Sequence, residues 1–163
     1  MGPLWGSLYS LRHYHPEAKV VVLVDGNTYR RITTNDKLKP LCALITELIE
    51  VDVPGEFSGV LRSRDIKTRV RNQIDGDFLY VDTDTIIAAP LDGIDSLEVK
   101  NLAMVPDIHR ENIHDNIWNI GWVKMIYGME ITNPNLTYFN AGVLWSGTTS
   151  QQGIFLTNGM RTG

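Results

Sequence analysis

Two short apolar runs, Val20-Val21-Val22-Leu23-Val24 and Phe78-Leu79-Tyr80-Val81, limit most sharply what this chain can fold into. Neither alternates with charged residues, so each reads as a strand covered on both faces, the pattern of strands inside a layered α/β domain. Between and around them, apolar residues recur at helical spacing. Leu4, Leu8 and Leu11 precede Pro16, which predicts a helix over Ser7–Tyr14. Asn35 or Asp36 is placed to cap a second helix through Leu38, Leu41, Leu44, Ile45 and Leu48. A third, carrying Ile66 and Val70, is expected over Ser63–Gln73. Asp25-Gly26-Asn27 has turn chemistry, and Val51-Asp52-Val53, 102–105 and 138–144 complete the strand candidates. Helices alternating with buried strands predict an α/β fold with a mostly parallel central sheet flanked by helices, in one domain over residues 1–163.

Composition narrows the function classes. The apolar share of 43% and charged share of 21% are those of a folded globular chain, not of a disordered one. A net charge of −4 argues against a nucleic-acid partner. No apolar run reaches the ~20 residues of a membrane helix, and no secretory leader is visible, so the expectation is a cytoplasmic protein without an integral membrane segment. The single cysteine, Cys42, sits among Leu41, Ala43 and Leu44 and reads as a small core residue. One Cys and four scattered His give no zinc spacing; His13 and His15 read as solvated at a helix end, and His109 and His114 lie in a polar stretch. The glycine-rich dinucleotide and phosphate-loop patterns and the serine-hydrolase elbow are absent from the sequence.

The feature with chemistry in it is Asp82-Thr83-Asp84, directly after the apolar run ending at Val81. In extended chain, residues two apart face the same side, so both carboxylates would converge. Adjacent carboxylates repel unless a cation lies between them, and Mn²⁺ or Mg²⁺ suits an oxygen site completed by substrate phosphates. Ligands of open α/β sheets also gather at strand C-termini, where this pair falls. The alternative is two strand-end aspartates that cap nearby amides. Asp75-Gly76-Asp77 repeats the spacing, but it precedes its strand and holds glycine, so it reads as a turn.

Several segments, in this order, resemble one family. They are Ser7-Leu8-Tyr9-Ser10-Leu11-Arg12, the strand ending at Asp25, Ser63-Arg64-Asp65-Ile66-Lys67-Thr68, Gly76-Asp77-Phe78-Leu79-Tyr80-Val81-Asp82-Thr83-Asp84-Thr85, and Tyr138-Phe139-Asn140-Ala141-Gly142-Val143. Together they resemble the GT-A nucleotide-sugar glycosyltransferases, most closely the retaining glycogenin- and galactosyltransferase-like (family 8-like) group. The resemblance implies a metal-dependent transferase that moves a sugar from a nucleotide-diphosphate donor, a UDP-sugar first, to a carbohydrate or glycan acceptor. It implies that Asp82 and Asp84 hold Mn²⁺ or Mg²⁺ against the donor diphosphate, with Thr83 between them. Arg64 and Lys67 match basic positions near donor phosphate or sugar; their alternative is a solvated face paired with Asp65 or Asp77. Asn140, Ala141 and Gly142 match the segment beside the donor sugar; their alternative is a structural Asn-Gly turn. The resemblance assigns no catalytic base.

Two departures shape the expectation. The family's first, base-contacting strand has no counterpart in Met1–Gly6, and residues 147–163 contain no histidine to act as third metal ligand. The chain therefore reads as a shortened transferase that keeps the donor pair, and an exposed sheet edge would favour self-association into a homo-oligomer. Two rival readings stand beside it: a catalytically inactive fragment, and a haloacid-dehalogenase-like phosphatase with Asp82 as nucleophile and Asp84 as acid/base. Trp118, Trp122 and Trp145 are candidates for stacking on sugar rings or for the core.

Overall fold

The computed structural model describes residues 2–94, 102–107, 124–125, 128, 137 and 139–147. His109, His114, Trp118, Trp122, Tyr138 and residues 148–163 lie outside the described residues. The chain divides into two compact units; among described residues, the first takes 2–76 and 82–94 and the second takes the rest. Both helices and strands are present, so the α/β class stands.

The first unit opens with α1, Pro3–Tyr14, which begins four residues before the expected start. Pro3 explains this: its fixed φ suits the first helical turn, where its missing N–H costs nothing. The next strand, β1 (Val21–Asp25), buries Val22 and Val24 on one face and half-buries Val21 and Leu23 on the other. Asp25 does not end the strand in a turn, as its Gly-Asn sequel suggests. Its carboxylate accepts the Thr28 N–H at 2.8 Å and caps a helix, α2 (Gly26–Thr34).

The second expected helix is also corrected. A single 3₁₀ turn over Asp36–Leu38 leads into α3 (Lys39–Cys42), and Leu48 belongs to a strand, β2 (Glu47–Val51). Parallel pairing with β1, in register from Val21 opposite Glu47 to Asp25 opposite Val51, wins over helical spacing here. The Thr46 and Glu47 amides both donate to Val20 C=O, at 2.9 and 3.0 Å, and so start the ladder. Cys42 is exposed rather than buried: α3 turns Leu41 inward, to 3% exposure, and the next position of so short a helix faces out. Leu8, Val20, Val22, Val24, Ile32 and Leu41 form the core cluster, with Leu4, Trp5, Leu11 and Leu48 packed against it.

Helix α4 runs over Gly59–Thr68 with Ser58 as its cap, and a short α5 (Val70–Gln73) follows a break at Arg69. One continuous helix over Ser63–Gln73 is therefore replaced by two. The Asp75-Gly76-Asp77 turn is observed, with Gly76 at φ +79°.

The second unit holds three strands: β3 (Phe78–Val81), β4 (Leu102–Pro106) and β5 (Phe139–Ser146). Their order is β3-β5-β4, and both pairings are antiparallel, Phe78 opposite Ser146 and Leu102 opposite Ser146 at one end. Among the described strands the parallel arrangement is thus confined to β1 and β2, whereas a mostly parallel sheet was the expectation. The reason is that apolar runs report burial, which either strand direction satisfies; direction comes from the connections.

Candidate functional site

Strand β3 delivers the acidic segment. It ends at Val81, and the Thr85 N–H then donates to Asp82 C=O at 3.0 Å, closing a turn over Asp82–Thr85. The two carboxylates are therefore presented from a β-turn, not from extended chain, which corrects the premise that they face one side by strand alternation. Thr83 and Asp84 are exposed, and Asp84 makes no ion pair among the described residues.

Asp82 is held by Lys67. The Lys67 Nζ donates to Oδ1 at 2.9 Å and to Oδ2 at 3.0 Å, so one ammonium spans both oxygens. The pair is partly sheltered, with side-chain exposures of 30% and 37%. Fifteen residues of sequence separate the partners, and α4 carries the lysine to the turn. Arg64 lies one helical turn earlier on α4, exposed and unpaired among the described residues. Of the local partners weighed for Lys67, Asp65 instead pairs with Arg69, whose guanidinium also donates to Asp52 C=O at 2.7 Å.

The segment after the turn is fastened to α1 by groups that sequence reasoning passed over. Ser10 Oγ donates to Ser7 C=O at 2.8 Å and accepts the Ile87 N–H at 2.9 Å. His15 Nε2 accepts the Leu91 N–H at 2.8 Å, so this histidine is a partly buried acceptor and not merely solvated. A side chain at Gly6 would meet Ile86 Cδ1 at 3.2 Å. No sequence signal distinguishes Ser10 from any other polar residue of an amphipathic helix. Ser10→Ala is expected to cost about 1–2 kcal/mol, because the amide of buried Ile87 loses its acceptor. Urea denaturation measures this, and a loss below about 0.3 kcal/mol would mean that water replaces the hydroxyl.

No match to this chain was found among protein-family models, curated proteins or solved structures.

The remaining predicted residues belong to the second unit. Asn140 and Ala141 are exposed and Gly142 is half-buried, at the start of β5. Asn140 Oδ1 accepts the Gly142 N–H at 2.7 Å, a local Asx bond of the kind the structural alternative anticipates. The register against β4 breaks here: Val105 faces Asn140 while Met104 faces Leu144. Ala141, Gly142 and Val143 thus bulge from the β4 ladder, although Val143 still pairs with Val81 on the other side. Lys67 and Asp82 are brought together, Arg64 shares the lysine's helix, and Thr83 and Asp84 share the aspartate's turn.

Among the described residues no group of three or more His, Cys, Asp or Glu could hold a metal ion. Nor is any described helix long and apolar enough to cross a membrane.

Proposed function

We propose that this chain carries the donor site of a GT-A-type, metal-dependent glycosyltransferase, with Asp82, Asp84, Lys67 and Arg64 at the diphosphate of a UDP-sugar. One observation carries the reading: the basic helix position and the acidic turn, assigned to one site by resemblance, are in direct contact through Lys67 and Asp82. The reaction breaks the bond from the sugar's anomeric carbon to the diphosphate oxygen. It forms a bond from that carbon to an acceptor hydroxyl oxygen, whose proton is released.

The donor set fits Mn²⁺ or Mg²⁺ in type. Such ions bind through one or two carboxylates and take their other ligands from water and substrate phosphate, so Asp82 and Asp84 suffice without a third protein ligand. Bound there, the ion would offset charge on the departing nucleoside diphosphate. The protein's own share is electrostatic. Lys67 and Arg64 supply positive charge on one stretch of α4, and the Asp82–Thr85 turn presents the acidic pair beside the lysine. By resemblance alone Asn140, Ala141 and Gly142 would be a sugar-side segment; they belong to the second unit, where the strand bulges. A carbohydrate or glycan acceptor, a homo-oligomeric state and a cytoplasmic setting go with this proposal.

A thermal-shift titration with Mn²⁺ and a panel of UDP-sugars tests it. Saturable stabilisation of about 2–3 kcal/mol is expected at a hundredfold excess over Kd. Asp84→Asn should weaken the response about tenfold or more, since it removes a ligand without disturbing the Lys67–Asp82 pair. An identical response in the variant would remove Asp84 from the site. Phosphate release from an aryl phosphate, with no response to UDP-sugars, would favour the phosphatase reading instead.

A further inference from the structure

We propose that His15 is a proton-operated latch on the segment after the acidic turn: its neutral ring fastens the Leu91 amide to the end of α1, and its protonated ring releases it. This goes beyond the donor-site reading and does not depend on it. The Leu91 N–H donates to His15 Nε2 at 2.8 Å. A ring nitrogen that accepts carries a lone pair, so the imidazole here is neutral, with its proton on Nδ1. Protonation turns Nε2 into a donor, two N–H groups then face each other, and the bond is lost. The bond therefore exists at higher pH. It fails as pH falls through the range, between about pH 5 and 8, where histidine gains its charge.

Geometry decides which side gives way. The His15 backbone is pinned, since its N–H donates to Leu11 C=O at 2.8 Å and its C=O accepts the Ala18 N–H at 3.3 Å. Arg12 holds the Pro16 and Ala18 carbonyls just beyond. The other side is looser. Ala88, Ala89 and Pro90 are exposed between Ile87 and Leu91. Leu91 C=O in turn accepts the Ile94 N–H at 2.9 Å, so the 3₁₀ turn over Asp92–Ile94 hangs from this residue. Earlier in the segment the Ser10 hydroxyl holds Ile87, and a hydroxyl does not titrate in this range. Acid thus undoes one tie and spares the other, freeing 88–94 while the acidic turn stays moored behind Ile87.

The charged and titratable groups on the elements that meet here are Arg12, His13 and Tyr14 on α1, Glu17 and Lys19 just after it, and Asp92 beside Leu91. Arg12 is engaged by four acceptors, His13 lies edge-on to Tyr14, and Lys19 pairs with Glu47. None of them pairs with the His15 imidazole among the described residues, so no described carboxylate holds the ring in place once it is charged.

Amide hydrogen exchange, read residue by residue by nuclear magnetic resonance and corrected for the intrinsic effect of pH, tests the latch. The Leu91 protection factor is expected to fall about tenfold between about pH 7.5 and about pH 5.5, while that of Ile87 stays within about twofold. His15→Gln, whose Oε1 accepts without titrating, should hold Leu91 at its high-pH protection throughout. Unchanged Leu91 protection in the wild type overturns the proposal. So does a fall that persists in His15→Gln, which would assign the effect to Glu17, Asp92 or His13. An equal fall at Ile87 overturns it too, because it would mean general opening rather than release of one tie. Where the variant does not fold, the wild type alone decides: the Leu91 amide proton shift is expected to follow the titration of the His15 ring with the same midpoint. A shift that ignores the ring sinks the latch.

Discussion

Replacing Arg12 with methionine is expected to lower the unfolding free energy of the first unit by about 3 kcal/mol, although Arg12 belongs to no catalytic proposal. Its guanidinium donates four bonds. Nε reaches Leu44 C=O at 3.0 Å, Nη1 reaches Pro16 C=O at 2.8 Å and Ala18 C=O at 2.7 Å, and Nη2 reaches Thr46 Oγ1 at 3.2 Å. These acceptors lie in the turn that leaves α1 and in the approaches to β1 and β2. Thr46 Oγ1 in turn accepts the Val20 N–H at 3.0 Å. One side chain therefore sets where both parallel strands begin. A lysine keeps the charge but not the planar fork, so Arg12→Lys should recover less than half of the loss. Full recovery by lysine would show that charge, not geometry, does the holding. Urea denaturation followed by circular dichroism makes the comparison, and methionine's apolar stem limits the lost packing.

Leu8→Ala is expected to have an effect of the same size, about 3 kcal/mol, for a different reason. Leu8 is 3% exposed and shares the core cluster with Val20, Val22, Val24, Ile32 and Leu41. Truncation removes buried methyl groups and leaves a cavity that rigid strand neighbours close poorly. Leu8→Met keeps the volume and should cost less than about 1.5 kcal/mol. A loss under about 1 kcal/mol for alanine would mean that α1 moves in to fill the space. The same helix also holds the chain after the acidic turn, through Ser10 to Ile87 and His15 to Leu91. A packing defect at Leu8 should therefore loosen that segment as well, seen as faster amide exchange at Ile87 and Leu91.

How much of this was legible beforehand differs element by element. The runs that became β1 and β3 announced themselves, because an uninterrupted apolar stretch of strand length has few other destinations. The approximate places of α1, β4 and β5 were legible too. Helix α2 was not: Asp25-Gly26-Asn27 is equally good as a turn and as a helix cap, and only the Asp25–Thr28 bond decides between them. Leu44, Ile45 and Leu48 continue the helical spacing of Leu38 and Leu41, yet Leu48 pairs in β2 because β1 offers it a ladder. Of the candidate site, Asp82, Asp84, Arg64 and Lys67 could be singled out one by one. The resemblance grouped them, but the direct Lys67–Asp82 contact, the turn at Asp82–Thr85 and the bulge at Ala141–Val143 could not be read beforehand.

The amino-acid sequence by itself determined the places of β1, β3, β4 and β5 (though not of β2), the α/β class, and an acidic pair just past a strand's end. Those are local matters, set by side-chain burial and backbone preference over a few residues. Only the tertiary structure decided the direction of each strand pair, the reach of Arg12 across two strand approaches, and the partnership of Asp82 with Lys67. Each of these joins residues far apart in the chain. Their meeting depends on how the connecting segments close and pack, which no window of neighbouring residues encodes.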